Sequence, residues 1–113
     1  RIADETGAQP FTDYKKMLRK ADLEAIIIAT PHVFHPPIAE FAASQGVHVL
    51  SEKPIAVSVK AADKMVNACR DAGVFLGVVF QHRTEPFRFA MKRMIDGGEL
   101  GEIHRVALSA PWY

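Results

Sequence analysis

The chain has 113 residues, with 14 Lys and Arg against 13 Asp and Glu and a net charge of +1. Hydrophobic residues at 49% and charged ones at 24% lie near the average for globular proteins, which argues against disorder and fibrous classes, and a chain of this length buries roughly 60 to 70% of its unfolded surface. Like charges form no run, so nucleic-acid binding gains no support, and no apolar stretch approaches the roughly 20 residues that a bilayer requires.

The opening "RIADETGAQP" has neither an initiator Met nor a signal-like segment, so the native start is expected upstream. "AQPFT" at residues 8–12 reads as a short strand that Pro10 confines to an edge. Thr12 or Asp13 can cap a helix over "YKKMLRKA", with Tyr14, Met17, Leu18 and Ala21 facing inward. "AIIIAT" at 25–30 and "VFLGVVF" at 74–80 are continuous apolar runs, as expected of strands buried on both faces, and "VHVL" at 47–50 is a shorter one of the same kind.

Helices fill the intervals. "PPIAEFAASQG" opens with prolines, spaces Ile38, Phe41 and Ala42 helically and stops at Gly46. "SVKAADKMVNACRDAG" offers Ser58 as N-cap, a stripe of Val59, Ala62, Val66 and Cys69, and Gly73 as a stop. The one cysteine, Cys69, cannot form an internal disulfide and reads as a small buried hydrophobe, which fits a reducing compartment. "PFRFAMKRMID" at 86–96 is a further helix closed by Gly97 and Gly98, and "EIHRVALSA" alternates like a half-exposed antiparallel strand. Trp112 and Tyr113 read as core or interface aromatics. Strands alternating with helices predict an α/β fold with a parallel sheet, and the change of pattern puts a boundary near residue 82.

Ligands of open parallel sheets bind beyond the carboxyl ends of the strands. There the chain places "TPHVFHP", "SEKP" and "QHRTEP". Lys53 directly follows a strand and precedes Pro54, which restricts the lysine's backbone to extended conformations. An ammonium aimed into a cleft can hold a hydroxyl, stabilise a developing alkoxide or exchange a proton; a solvated lysine paired with Glu52 is the plainer reading. His32 and His35 stand three residues apart, but no Cys pair or HExxH pattern accompanies them, so no metal site is expected. His35 can also order its loop by hydrogen bonding. No GxGxxG, P-loop or Gly-x-Ser-x-Gly occurs, and "GGELGE" follows a helix and reads as a turn.

With these pieces in order, the chain resembles the Gfo/Idh/MocA family, that of glucose-fructose oxidoreductase and inositol dehydrogenase. The resemblance rests on "AIIIATPHVFHPPIAEFAASQGVHVLSEKPIAVSVKAADKMVNACRDAGVFLGVVFQHR" and on "PFRFAMKRMIDGGELGEI". It implies a partial Rossmann domain over 1–82, lacking its first strands, and from 83–113 the beginning of a substrate or oligomerisation domain with an open antiparallel sheet. It further implies a cytoplasmic, homo-oligomeric oxidoreductase that uses NAD or NADP on a sugar, cyclic polyol or related hydroxyl compound. By position, Thr30, Pro31, His32 and His35 would lie along the cofactor; Glu52, Lys53 and Pro54 would belong to the family signature, with Lys53 catalytic; Gln81 and Arg83 would line the cofactor near the second domain. The family's glycine-rich turn and second-domain catalytic motif would lie outside the chain, so these residues alone are expected to bind NAD(P) poorly and to catalyse nothing. A non-catalytic NAD(P)-binding or assembly protein of the same fold is the alternative.

Overall fold

The computed structural model describes residues 2–109. The chain forms two units, one ending at Val79 and the other beginning at Phe80.

The first unit opens with two short helices, α1 (Ile2–Thr6) and α2 (Tyr14–Lys20). Of the two candidate caps it is Asp13 that serves α2, its carboxylate accepting from the amides of Lys15 and Lys16. "AQPFT" between the helices forms no strand. A strand exists only through a ladder with a neighbour, and among the described residues no strand lies beyond β1 for this segment to join.

Three parallel strands follow, β1 (Ala25–Ile28), β2 (His48–Ser51) and β3 (Leu76–Val78), in the order β1-β2-β3. Ile28 pairs with Ser51 and Ser51 with Val78, so the carboxyl ends of the strands are level. Between the strands run α3 (His35–Ser44) and α4 (Val59–Asp71). Ser58 caps α4 as expected, accepting from the Ala61 amide. Gly46 and Gly73 end the two helices at φ of 75° and 69°. In each case the next amide reaches back five residues, Val47 to the Ala42 carbonyl and Val74 to that of Cys69, both at 3.0 Å. This helix closure uses the left-handed conformation that glycine tolerates best.

The core lies on one side of the sheet. Ile26, Ile28 and Val49 meet Ala39, Ala42 and Ala43 of α3, whose small side chains let the helix approach, with Met65 and Cys69 of α4 beyond. Two expectations need correction here. The strands are not buried on both faces, since Ile27 is 72% and Leu50 39% exposed. Both crossover helices contribute to the core on the other face, so the alternate side chains stay in water. The buried stripe of α4 carries Met65 and Cys69 rather than Val59 and Val66, which are exposed. A one-residue turn of the helical wheel, set by packing against α3, separates the two versions.

The second unit comprises a 3-10 turn (Gln81–Thr84), α5 (Pro86–Asp96) and a segment without regular structure to residue 109. The alternating "EIHRVALSA" forms no strand over 102–109, for want of a partner strand among the described residues; Ala110, Trp112 and Tyr113 lie outside them. Phe87, Phe89, Met91 and Ile95 of α5 are all exposed.

Candidate active site

Past the end of β1 the chain crosses Thr30 and Pro31 and makes a 3-10 turn over His32–Phe34, closed by the Phe34 amide donating to the Pro31 carbonyl at 2.9 Å. α3 then begins at His35, with Pro36 and Pro37 in its first turn, where a missing N–H breaks no helical bond. Thr30, Pro31 and His32 are exposed.

His35 is the opposite case, with no exposed surface. Its Nε2 lies 2.8 Å from the Thr30 carbonyl oxygen and its Nδ1 3.1 Å from that of Pro54. Nδ1 also lies 3.2 Å from the hydroxyl of Ser51, likewise fully buried. The His32 ring stands edge-on to the His35 ring at 5.6 Å between centroids.

The loop after β2 starts with Glu52, whose amide donates to the Ile28 carbonyl at 2.8 Å and extends the ladder past the strand. The Glu52 carboxylate accepts from the Lys53 amide at 3.2 Å. Lys53 and Pro54 are joined by a cis peptide bond, and both side chains are exposed. Thr30, His35, Ser51 and Pro54 thus form one hydrogen-bonded knot, and Glu52 and Lys53 stand on the same loop. His35 has no ring nitrogen to offer a ligand while these bonds stand. Ser51 is the member that sequence reasoning missed; its signal was a hydroxyl at the last position of an otherwise apolar buried strand.

Gln81 and Arg83 lie on the 3-10 turn of the second unit, with the Arg83 guanidinium 5.4 Å from the Phe80 ring centre. A cavity of about 580 Å³ in that unit is lined by His82, Arg83, Thr84, Arg88, Phe89 and Lys92. Much of its charge is already matched: Glu85 accepts from Arg88 at 2.6 Å and pairs with His82 at 2.5 Å, while Lys92 pairs with Asp96. Arg88 first and His82 second hold the Glu85 carboxyl below the usual range. Among the described residues no three His, Cys, Asp or Glu side chains gather to hold a metal ion, and no helix is long and apolar enough to cross a membrane.

Comparison with known proteins decides the lineage. A family model described as an oxidoreductase family with an NAD-binding Rossmann fold, GFO_IDH_MocA, matches residues 1–80. The chain belongs to the Gfo/Idh/MocA family. Among its Gfo/Idh/MocA relatives, the 2,7-anhydro-N-acetylneuraminate hydratase of Mediterraneibacter gnavus is 36% identical, over 90% of this chain and 27% of its own length. Inositol 2-dehydrogenase 4 of Saccharopolyspora erythraea is 33% identical, over 95% of this chain and 34% of its own. The WlbA dehydrogenase of Bordetella pertussis, solved with NADH and UDP-GlcNAcA, superposes with a TM-score of 0.86 at 39% identity, over 88% of this chain and 29% of that one. The chain therefore spans about a third or less of the length of these relatives.

Proposed function

We propose that the full polypeptide carrying this chain is an NAD(P)-dependent oxidoreductase that moves hydride between the nicotinamide and a sugar, cyclic polyol or related hydroxyl compound. The observation that carries this reading is Lys53, a solvent-facing ammonium on a loop braced at the carboxyl edge of a parallel sheet, where ligands of such sheets bind. Relatives named as an inositol dehydrogenase, a D-xylose dehydrogenase and a dTDP-sugar reductase support it.

The residues present fit a dinucleotide. The first unit is the part of the chain that the NAD-binding family model matches, and the exposed Thr30, Pro31 and His32 give a polar rim beside the loop of Lys53. When bound, the nicotinamide supplies the acceptor or donor of hydride. Lys53 Nζ holds the substrate oxygen and exchanges its proton, taking it in oxidation and returning it in reduction. Glu52 steadies the loop through the Lys53 amide, and His35 supports it from inside. Gln81 and Arg83 enter this reading through the family pattern alone. So do a cofactor domain over 1–82 with a substrate domain with an antiparallel sheet starting at 83, a cytoplasmic location and a homo-oligomer.

The test is Lys53→Ala in the full polypeptide, assayed with inositols and UDP-sugars and either nicotinamide cofactor. Turnover is expected to fall by about 10²- to 10⁴-fold, the usual share of a positioned proton-transfer group, with NADH affinity nearly unchanged. Turnover close to wild type would remove Lys53 from the mechanism. A wild type that binds NADH but oxidises none of the panel would favour the non-catalytic binding role.

A further inference from the structure

Lys53 can act only if its loop is held still, and besides Glu52 on the loop itself a group from outside the loop holds it. We infer that His35 is a positioning residue for Lys53: its buried ring, assisted by Ser51, ties the loop after β1 to the loop after β2 and fixes them as one body. The inference rests on the oxidoreductase reading for its catalytic consequence, but the tie can be measured without it.

Both backbone carbonyls at the ring can only accept. Nε2–H therefore donates to Thr30, at 2.8 Å. Nδ1 has two neighbours, the Pro54 carbonyl at 3.1 Å and the Ser51 hydroxyl at 3.2 Å, and that hydroxyl also lies 3.1 Å from the Glu52 carbonyl. Ser51 has one proton. Turned to Glu52, it leaves Nδ1 to donate to Pro54, which together with the Thr30 bond takes a ring carrying both protons; turned to the ring, it donates to Nδ1 of the tautomer with its one proton on Nε2 and joins β2 to α3. In either arrangement the ring joins Thr30 in the loop after β1 to the chain at the end of β2, and in the first the bonds also reach the residues that flank Lys53, Glu52 on one side and Pro54 on the other. The His35 ring and the Ser51 hydroxyl at the centre of the knot are wholly buried, where a hydrogen bond is stronger than in water. No buried side-chain nitrogen or oxygen among the described residues lacks a partner.

The experiment compares His35→Leu, His35→Gln and His35→Asn in the full polypeptide. Gln places an amide near the Nε2 position and can keep the Thr30 bond; Asn reaches only the Nδ1 position and can keep the bonds to Pro54 and Ser51. We expect kcat to fall roughly tenfold to a hundredfold in the Leu and Gln variants, the scale of loss for about an ångström of misplacement. Asn should restore most of it, and NADH affinity should hardly move in any of the three. Loss of NADH affinity in step with kcat, or equal damage in Asn and Leu, would overturn the inference, since either would mean a direct cofactor contact or a general packing role.

A second readout needs no turnover. Amide exchange over residues 52–57 should quicken about tenfold in Ser51→Ala and in His35→Gln while the amides of α4 keep their protection, as expected of a local opening. Unchanged exchange there would sink the tie even in an active enzyme. Quickened exchange in a protein that oxidises nothing would leave the tie standing and remove the oxidoreductase reading instead.

Discussion

His35 shows how much one side chain can be asked to do when it is sealed from water. Its two nitrogens lie within hydrogen-bond distance of carbonyls from separate loops, so a hydrocarbon of similar volume in its place removes every bond the ring makes. A buried polar group left without a partner costs about 1–3 kcal/mol. His35→Leu should therefore lower the urea midpoint by a shift corresponding to at least about 1 kcal/mol, whereas His32→Leu, at an exposed position, should leave it nearly in place. Equal midpoints for the two variants would mean that water reaches the two carbonyls. Much of this neighbourhood was legible in the sequence. Thr30, Pro31, Glu52, Lys53 and Pro54 sit where strands end, and strand ends are written locally, in apolar runs that stop. The pairing of Ser51 with His35 was not legible, because it joins residues sixteen apart through packing that no local pattern encodes.

The elements divide along the same line between local and distant causes. Helix ends are local, and the caps at Asp13 and Ser58 and the closures at Gly46 and Gly73 follow from single residues and their immediate neighbours. Two tests belong here. An L-residue at a φ of 75° is disfavoured by roughly 1–2 kcal/mol, so Gly46→Ala should reduce the unfolding free energy by about that amount even though nothing crowds the added methyl group; an unchanged midpoint would mean that the turn rearranges. Asp13 tests the pH dependence. The amides of Lys16, first, and of Lys15 hold its carboxyl below the ordinary 3.8. A lowered folded value means that the cap's contribution is complete above the unfolded value and drains away as pH falls through the folded one. Asp13→Asn keeps an uncharged acceptor, so the stability difference between wild type and variant should shrink below about pH 4, followed as urea midpoints from pH 7 to pH 2; a constant difference would refute the cap's ionic part. Strands and burial faces have distant causes. "AQPFT" and "EIHRVALSA" have strand-like patterns, yet among the described residues neither finds the partner that makes a pattern into a strand.

For the molecule as a whole, the decisive feature is the uncovered side of the sheet. Among the described residues β1 and β3 each keep one unpaired edge, and Ile27 and Leu50 present apolar surface on the same open face. The continuous apolar runs had suggested strands covered on both faces, and that composition is what a two-sided sheet needs. In the first unit as it stands, one such face meets water. A net charge of +1 gives little long-range repulsion to keep copies apart, and open strand edges template further pairing. The 113-residue chain by itself should therefore associate as its concentration rises, which sedimentation velocity would register as a growing weight-average coefficient. Ile27→Lys puts a charge on the open face, on the edge strand β1 and on a side chain that is already 72% exposed, so it should shift the chain towards monomer without lowering the urea midpoint. Association undiminished in that variant would move the contact from the sheet face to the strand edges or to the exposed aromatics of α5. A fall in the midpoint would show instead that Ile27 is covered in solution.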